Sequence, residues 1–136
     1  MRFMIMVKAT AVSEAGLLPD DDSLMQEMGS FHEELARAGV LLDANGLRPS
    51  SQGWRVGYDK AGQRKLVEGP FAETKELLAG YTLIQVRSRD EAMEWVRRFP
   101  APFGKGLEAE IEVRPLYEPE DFEPGGALSR EPLANR

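Results

Sequence analysis

The sequence predicts an α+β protein: a ferredoxin-like βαββαβ antiparallel sheet with two helices on one face and an extra hairpin. Three observations carry this. Two stretches, near residues 23–38 and 88–99, place apolar residues at helical spacing. The segments around them alternate with a period of two or run apolar without a breaker. Their order is strand, helix, strands, helix, strand, which is that of a split βαβ sheet.

Arg2 to Lys8 is free of breakers and rich in Phe, Ile, Val and Met, and forms the first expected strand. Phe3, Ile5 and Val7 point one way and Met4 and Met6 the other, so both faces need cover. A polar loop follows. The first helix is expected from Ser23, whose spacing to Gln26 suggests a capping box, to Gly39, which can take the left-handed terminating conformation. Leu24, Met28, Phe31 and Leu35 form its apolar stripe. Val40 to Leu47 reads as the second strand, with Asn45-Gly46 marking a bend. Arg55–Tyr58 and Arg64–Val67 read as a hairpin around "DKAG", with Gly62 at the position that needs positive φ. Tyr81 to Arg87 alternates as a half-buried strand. Ser88 with Glu91 caps a second helix that buries Ala92, Val96 and Phe99 and stops before Pro100. Ala109, Ile111 and Val113 mark the last strand. Residues 1–117 are thus expected to form one domain, and the Pro, Gly and Glu-rich stretch 118–136 a tail that is mobile or lies on a partner.

If helices cover the Phe3, Ile5 and Val7 side, the Met4, Met6, Tyr81 and Leu83 side stays bare, and a homodimer that closes it is expected. With 17 basic against 23 acidic residues, the chain lacks the basic stripe of a nucleic-acid or anionic-membrane binder. The absence of cysteine excludes disulfides and thiolate chemistry. The short apolar run at the N-terminus fits neither a signal peptide nor a membrane span, and a cytoplasmic protein is expected.

Candidate chemistry is sparse. His32 is the only histidine and sits at the border of the helical stripe, where a half-buried structural residue is favoured over a general base. Asp20, Asp21 and Asp22 precede a helix and suit its N-terminal dipole better than they suit a metal. One histidine without cysteine gives no zinc site, so neither metal nor cofactor is expected. Glu110 and Glu112 share an outward strand face without an evident partner acid. "FGKG" lacks the strand before and helix after that a phosphate loop needs.

The richest stretch is "VEGPFAETKELLAGYTLIQV". Pro70 fixes its own φ and keeps Gly69 out of the helical region, so a sharp corner is expected, anchored in the core by Phe71. Thr74 is expected to cap one helical turn that Gly80 ends.

This stretch resembles the signature of the YCII-related family, in particular its DGPF-motif branch, whose hallmark is Asp-Gly-Pro-Phe-Ala-Glu-Thr-Lys-Glu. Gly69, Pro70, Phe71, Ala72, Glu73, Thr74, Lys75 and Glu76 match it, and Glu68 stands where the hallmark has Asp. The resemblance implies a subunit of the dimeric α/β-barrel type. It also implies genes often found near extracytoplasmic-function sigma factors, and relatives with a proposed catalytic His and Asp, one of them a dehydrochlorinase. Aligned by eye, Met28 and Phe99 occupy those two positions here, and neither side chain can transfer a proton. An Asp at position 68 would brace the corner by accepting from the Phe71 N–H, and Glu68 would do so less well. The expected function is a non-catalytic small homodimer that binds a metabolite or a partner protein, with a link to a sigma factor implied only by resemblance. The alternative is a cofactor-free lyase, isomerase or oxygenase with a site between the first long helix and the sheet, drawing on His32, Glu73, Lys75 and Tyr81.

Overall fold

The computed structural model describes residues 1–17, 22–72, 74–126 and 128. Its elements follow the expected order: β1 (Arg2–Lys8), α1 (Ala11–Glu14), α2 (Asp22–Arg37), β2 (Leu41–Gly46), β3 (Trp54–Tyr58), β4 (Arg64–Glu68), β5 (Leu78–Gln85), α3 (Arg89–Arg97) and β6 (Ile111–Pro115). The main sheet runs β2-β5-β1-β6 with every neighbouring pair antiparallel, which is the ferredoxin-like arrangement. Strands β3 and β4 form a separate two-stranded ribbon.

The register sorts the side chains as the alternation demands. Phe3 lies opposite Ile84 and Ile5 opposite Thr82 on one face, while Met4 lies opposite Leu83 and Met6 opposite Tyr81 on the other. The first face meets both long helices: Phe3, Ile5, Ile84 and Val86 pack with Phe31, Leu35, Val40 and Ala92 in one core cluster. Trp95, Val96 and Phe99 close its rim. Met4, Met6, Tyr81 and Leu83 remain partly exposed on the second face.

Local chemistry explains the ends of the elements. Ser88 Oγ accepts from Glu91 N–H at 3.1 Å, and the Glu91 carboxylate accepts from Arg87 N–H at 2.9 Å. Gly39 and Gly62 take φ values of 73° and 81°, the left-handed conformation expected at each. Four expectations need correction. Helix α2 already includes Asp22, so Ser23 stands in its first turn and not at its cap. Asn45 and Gly46 do not bend the chain; β2 runs through them, and its irregularity is a bulge between Leu41 and Asp43. Gly80 ends no turn but lies inside β5, where a Cβ would approach the Asn45 carbonyl oxygen to 3.0 Å. Helix α1, unforeseen, begins at a Thr10–Ser13 capping box whose bonds measure 2.9 and 3.2 Å. Asp20 and Asp21, expected to cap α2, lie outside the described residues.

Candidate functional site

The signature stretch builds a corner rather than a cavity. The Gly69–Pro70 bond is cis, and Gly69 N–H donates to the Gly53 carbonyl at 3.0 Å. The chain passes so close to the turn at residues 50–52 that a Cβ on Gly69 would overlap the Ser50 carbonyl. The Phe71 N–H donates to Ser50 Oγ at 3.0 Å, and the Ser50 hydroxyl in turn meets the Glu14 carboxylate, which also accepts from Ser50 N–H at 3.0 Å. Two expectations fail here. The brace on Phe71 N–H is Ser50, held by Glu14 from α1, and not residue 68; Glu68 is exposed at the end of β4. Phe71 is half-buried beneath the Arg55 guanidinium, 3.9 Å from its ring centroid, and is not part of the core cluster. Thr74 opens a 3-10 turn over residues 74–76, with Leu77 N–H bonded to its carbonyl at 3.1 Å.

The cavity lies elsewhere. One of about 380 Å³ opens between α2 and the sheet, walled by Val7, Met28, Ala44, Gly80, Phe99 and Phe103. His32 enters this apolar wall from α2. Its Nδ1 lies 2.8 Å from the Met28 carbonyl oxygen, one helical turn back. A carbonyl can only accept, so Nδ1 carries a proton, and in the neutral form of the ring the lone pair lies at Nε2. That atom lies 2.8 Å from Thr82 Oγ1, whose hydroxyl donates to it in this form. Thr82, on the helix face of β5, is the one buried polar residue among the described residues, and a buried hydroxyl needs such a partner. The edges of Phe31 and Phe99 fix the imidazole from the sides, with centroids 5.6 and 6.3 Å away.

The four candidate residues separate. His32 lines the cavity; Lys75 is exposed on the 3-10 turn and does not reach it. Tyr81 borders the cavity, but its hydroxyl donates to Asp43 Oδ2 at 2.8 Å and accepts from Asn45 Nδ2 at 3.0 Å. Glu73 lies outside the described residues. Met28 and Phe99 both line the cavity, and His32 reaches the same space from one turn further along α2 than Met28. Sequence reading missed Thr82 as a site residue; its signal was a hydroxyl on the inward face of an alternating strand. Among the described residues no carboxylate or ammonium group lines the cavity. Among the described residues no cluster of His, Cys, Asp or Glu could hold a metal, and no helix is long and apolar enough to cross a membrane. A wider groove of about 530 Å³ beside α2 is lined by Gln26, Glu27, Ser30, Phe31, Pro100 and the Glu34–Arg98 ion pair, a more polar wall than that of the cavity.

The YCII-related domain profile matches residues 1–117. An uncharacterised protein of Rhizobium meliloti (strain 1021) is 32% identical over 111 residues, covering 80% of this chain and 87% of its own. Among solved structures, 5-chloro-2-hydroxyhydroquinone dehydrochlorinase from Burkholderia phenoliruptrix AC1100, in complex with 2,5-dihydroxybenzoquinone, aligns with a TM-score of 0.46 and 18% identity. That alignment covers 86% of this chain and 94% of the dehydrochlorinase.

Proposed function

The chain belongs to the YCII-related domain family, and from that premise we propose that it binds a small, uncharged, largely apolar metabolite in the cavity between α2 and the sheet. The observation that carries this reading is the His32–Thr82 pair, set with Asn45 and Tyr81 in a wall otherwise of methionine, phenylalanine, proline and small aliphatic residues. Such a wall favours a ring or short chain, and one hydroxyl on the ligand could donate to His32 Nε2 in place of Thr82 while accepting from the freed Thr82 hydroxyl. A carboxylate ligand would meet no fixed cation there.

Binding without chemistry is favoured over catalysis because, among the described residues, His32 is the one potential base at the cavity and the Tyr81 hydroxyl is engaged with Asp43 and Asn45. A single observation speaks for the alternative enzyme: the Nδ1–H bond to Met28 leaves Nε2 as the basic nitrogen on the cavity side. A homodimer that pairs the Met4, Met6, Tyr81 and Leu83 faces of two protomers completes the proposal.

Thermal denaturation in the presence of a panel of small phenols, ketones and lactones tests the binding reading, since a specific ligand stabilises by mass action. At least one member should raise Tm, and Thr82→Val with His32→Phe should abolish that shift. The double change leaves no orphaned polar partner, so the variant stays folded. A shift that survives the double variant, or a panel with no effect, would overturn it. Turnover of a bound compound, lost in His32→Gln, would instead establish the enzyme.

A further inference from the structure

Strand β6 (Ile111–Pro115) lies at an edge of the main sheet, and among the described residues no strand pairs with its outer side. The ladder with β1 shows which backbone groups stay free. Lys8 N–H donates to the Glu110 carbonyl and Leu116 N–H to that of Arg2, so the even-numbered residues of β6 turn their backbone groups to β1. The N–H and C=O groups of Ile111 and Val113 and the carbonyl of Pro115 therefore point outward, a row that another strand can extend. Pro115, without an N–H, ends that row.

Side chains alternate along the same strand. Ile111, Val113 and Pro115 lie on the helix side, and Glu112 and Arg114 lie on the open face with Met6 and Met4. Centred on Val113, the order is apolar, acidic, apolar, basic, apolar, which is complementary to itself when reversed.

We infer that β6 is the docking edge for β6 of a second copy, paired antiparallel about a two-fold axis through Val113 and perpendicular to the sheet. Val113 then exchanges both backbone bonds with the partner's Val113, and each Ile111 N–H meets the partner's Pro115 carbonyl. Each Glu112 lies directly opposite the partner's Arg114. Charge selects this register: a slide of two residues one way opposes Glu112 to the partner's Glu112, and the other way Arg114 to the partner's Arg114, and directly opposed like charges are unfavourable. Within its own chain Glu112 already holds Lys8 at 3.1 Å, whereas the Arg114 side chain is 72% exposed and meets Glu112 at 4.0 Å, which leaves it able to engage a second carboxylate. Beyond the paired strands Glu118 comes near the partner's Glu108, and Arg2 neutralises Glu118 at 2.9 Å.

A small apolar pocket lies at this junction. About 130 Å³ between α3 and the sheet is walled by Phe3, Ala92, Met93, Val96 and Pro115, with Arg89 alongside. The partner's Ile111, opposed to Pro115 on the helix side, is the side chain placed to enter it and to cover Met93, now 42% exposed. The contact is short, so it acts at millimolar concentration, and it keeps both open faces on one side of a joined sheet, where the proposed face pairing still applies.

Equilibrium sedimentation of the full chain at millimolar concentration tests this. Dimers should associate to tetramers, and Glu112→Arg or Arg114→Glu alone should weaken that step about tenfold, the scale of two exposed ion pairs made repulsive. An equimolar mixture of the two variants should recover it. Because the chain has no cysteine, Glu112→Cys and Arg114→Cys chains, mixed and mildly oxidised, should give the mixed disulfide in excess of either self-linked dimer. Association of the charge variants equal to that of the original chain, no gain on mixing, or an excess of self-linked dimers would overturn the inference. If the open faces do not pair, the same substitutions act on a monomer-to-dimer step, so the two interfaces fail separately.

Discussion

Gly69 carries more of the corner than any charged neighbour. Its position is set by contact with the Ser50 carbonyl, not by an unusual φ, so every side chain is excluded on space alone. Gly69→Ala should therefore lower stability by about 2–3 kcal/mol in urea denaturation, the range for forced backbone displacement. Glu68→Asp should stay within about 0.5 kcal/mol, because residue 68 is exposed and the Phe71 N–H already belongs to Ser50. The signature thus constrains packing against the 50–52 turn, and its described charges, Glu68, Lys75 and Glu76, are exposed and do not line the cavity where His32 lies.

At the scale of elements, α3 shows how much local chemistry decides. Ser88→Ala removes the bond to Glu91 N–H and should cost about 1 kcal/mol, read as a lowered denaturation midpoint with unchanged m-value. That cap, the Gly39 and Gly62 conformations and the β1 strand were all legible in the sequence, because each rests on a few adjacent residues. What was not legible depends on distant ones. The straight run of β2 through Asn45-Gly46 follows from pairing with β5, which overrides the local turn preference. Gly80 looked like a helix terminator but is small because Asn45 passes it on the neighbouring strand. His32 could be placed at the border of a stripe, yet its partner Thr82 is fifty positions away in sequence and beside it only after the sheet forms.

For the whole molecule, the proposed pairing of open sheet faces would make concentration the controlling variable. Sedimentation velocity should show a dimer at micromolar concentration, and Leu83→Asp with Met6→Asp should shift it to monomer by placing charge on the open sheet face. The end of the chain adds a pH dependence. The hydrogen bond from Arg2 holds the Glu118 carboxyl below its usual pKa. A lowered folded value means the contact stabilises at neutral pH and is lost as pH falls through the carboxylate range. Amide exchange over residues 117–123 should accordingly rise on acidification, and Arg2→Ala should remove the pH dependence.

The solitary imidazole in the cavity wall has a practical side. Because His32 is the only histidine, every imidazole resonance in a spectrum of the untagged protein comes from the cavity itself. The ring's Nδ1 proton, its tautomer and its response to an added compound can be followed without selective labelling, which makes the site its own reporter.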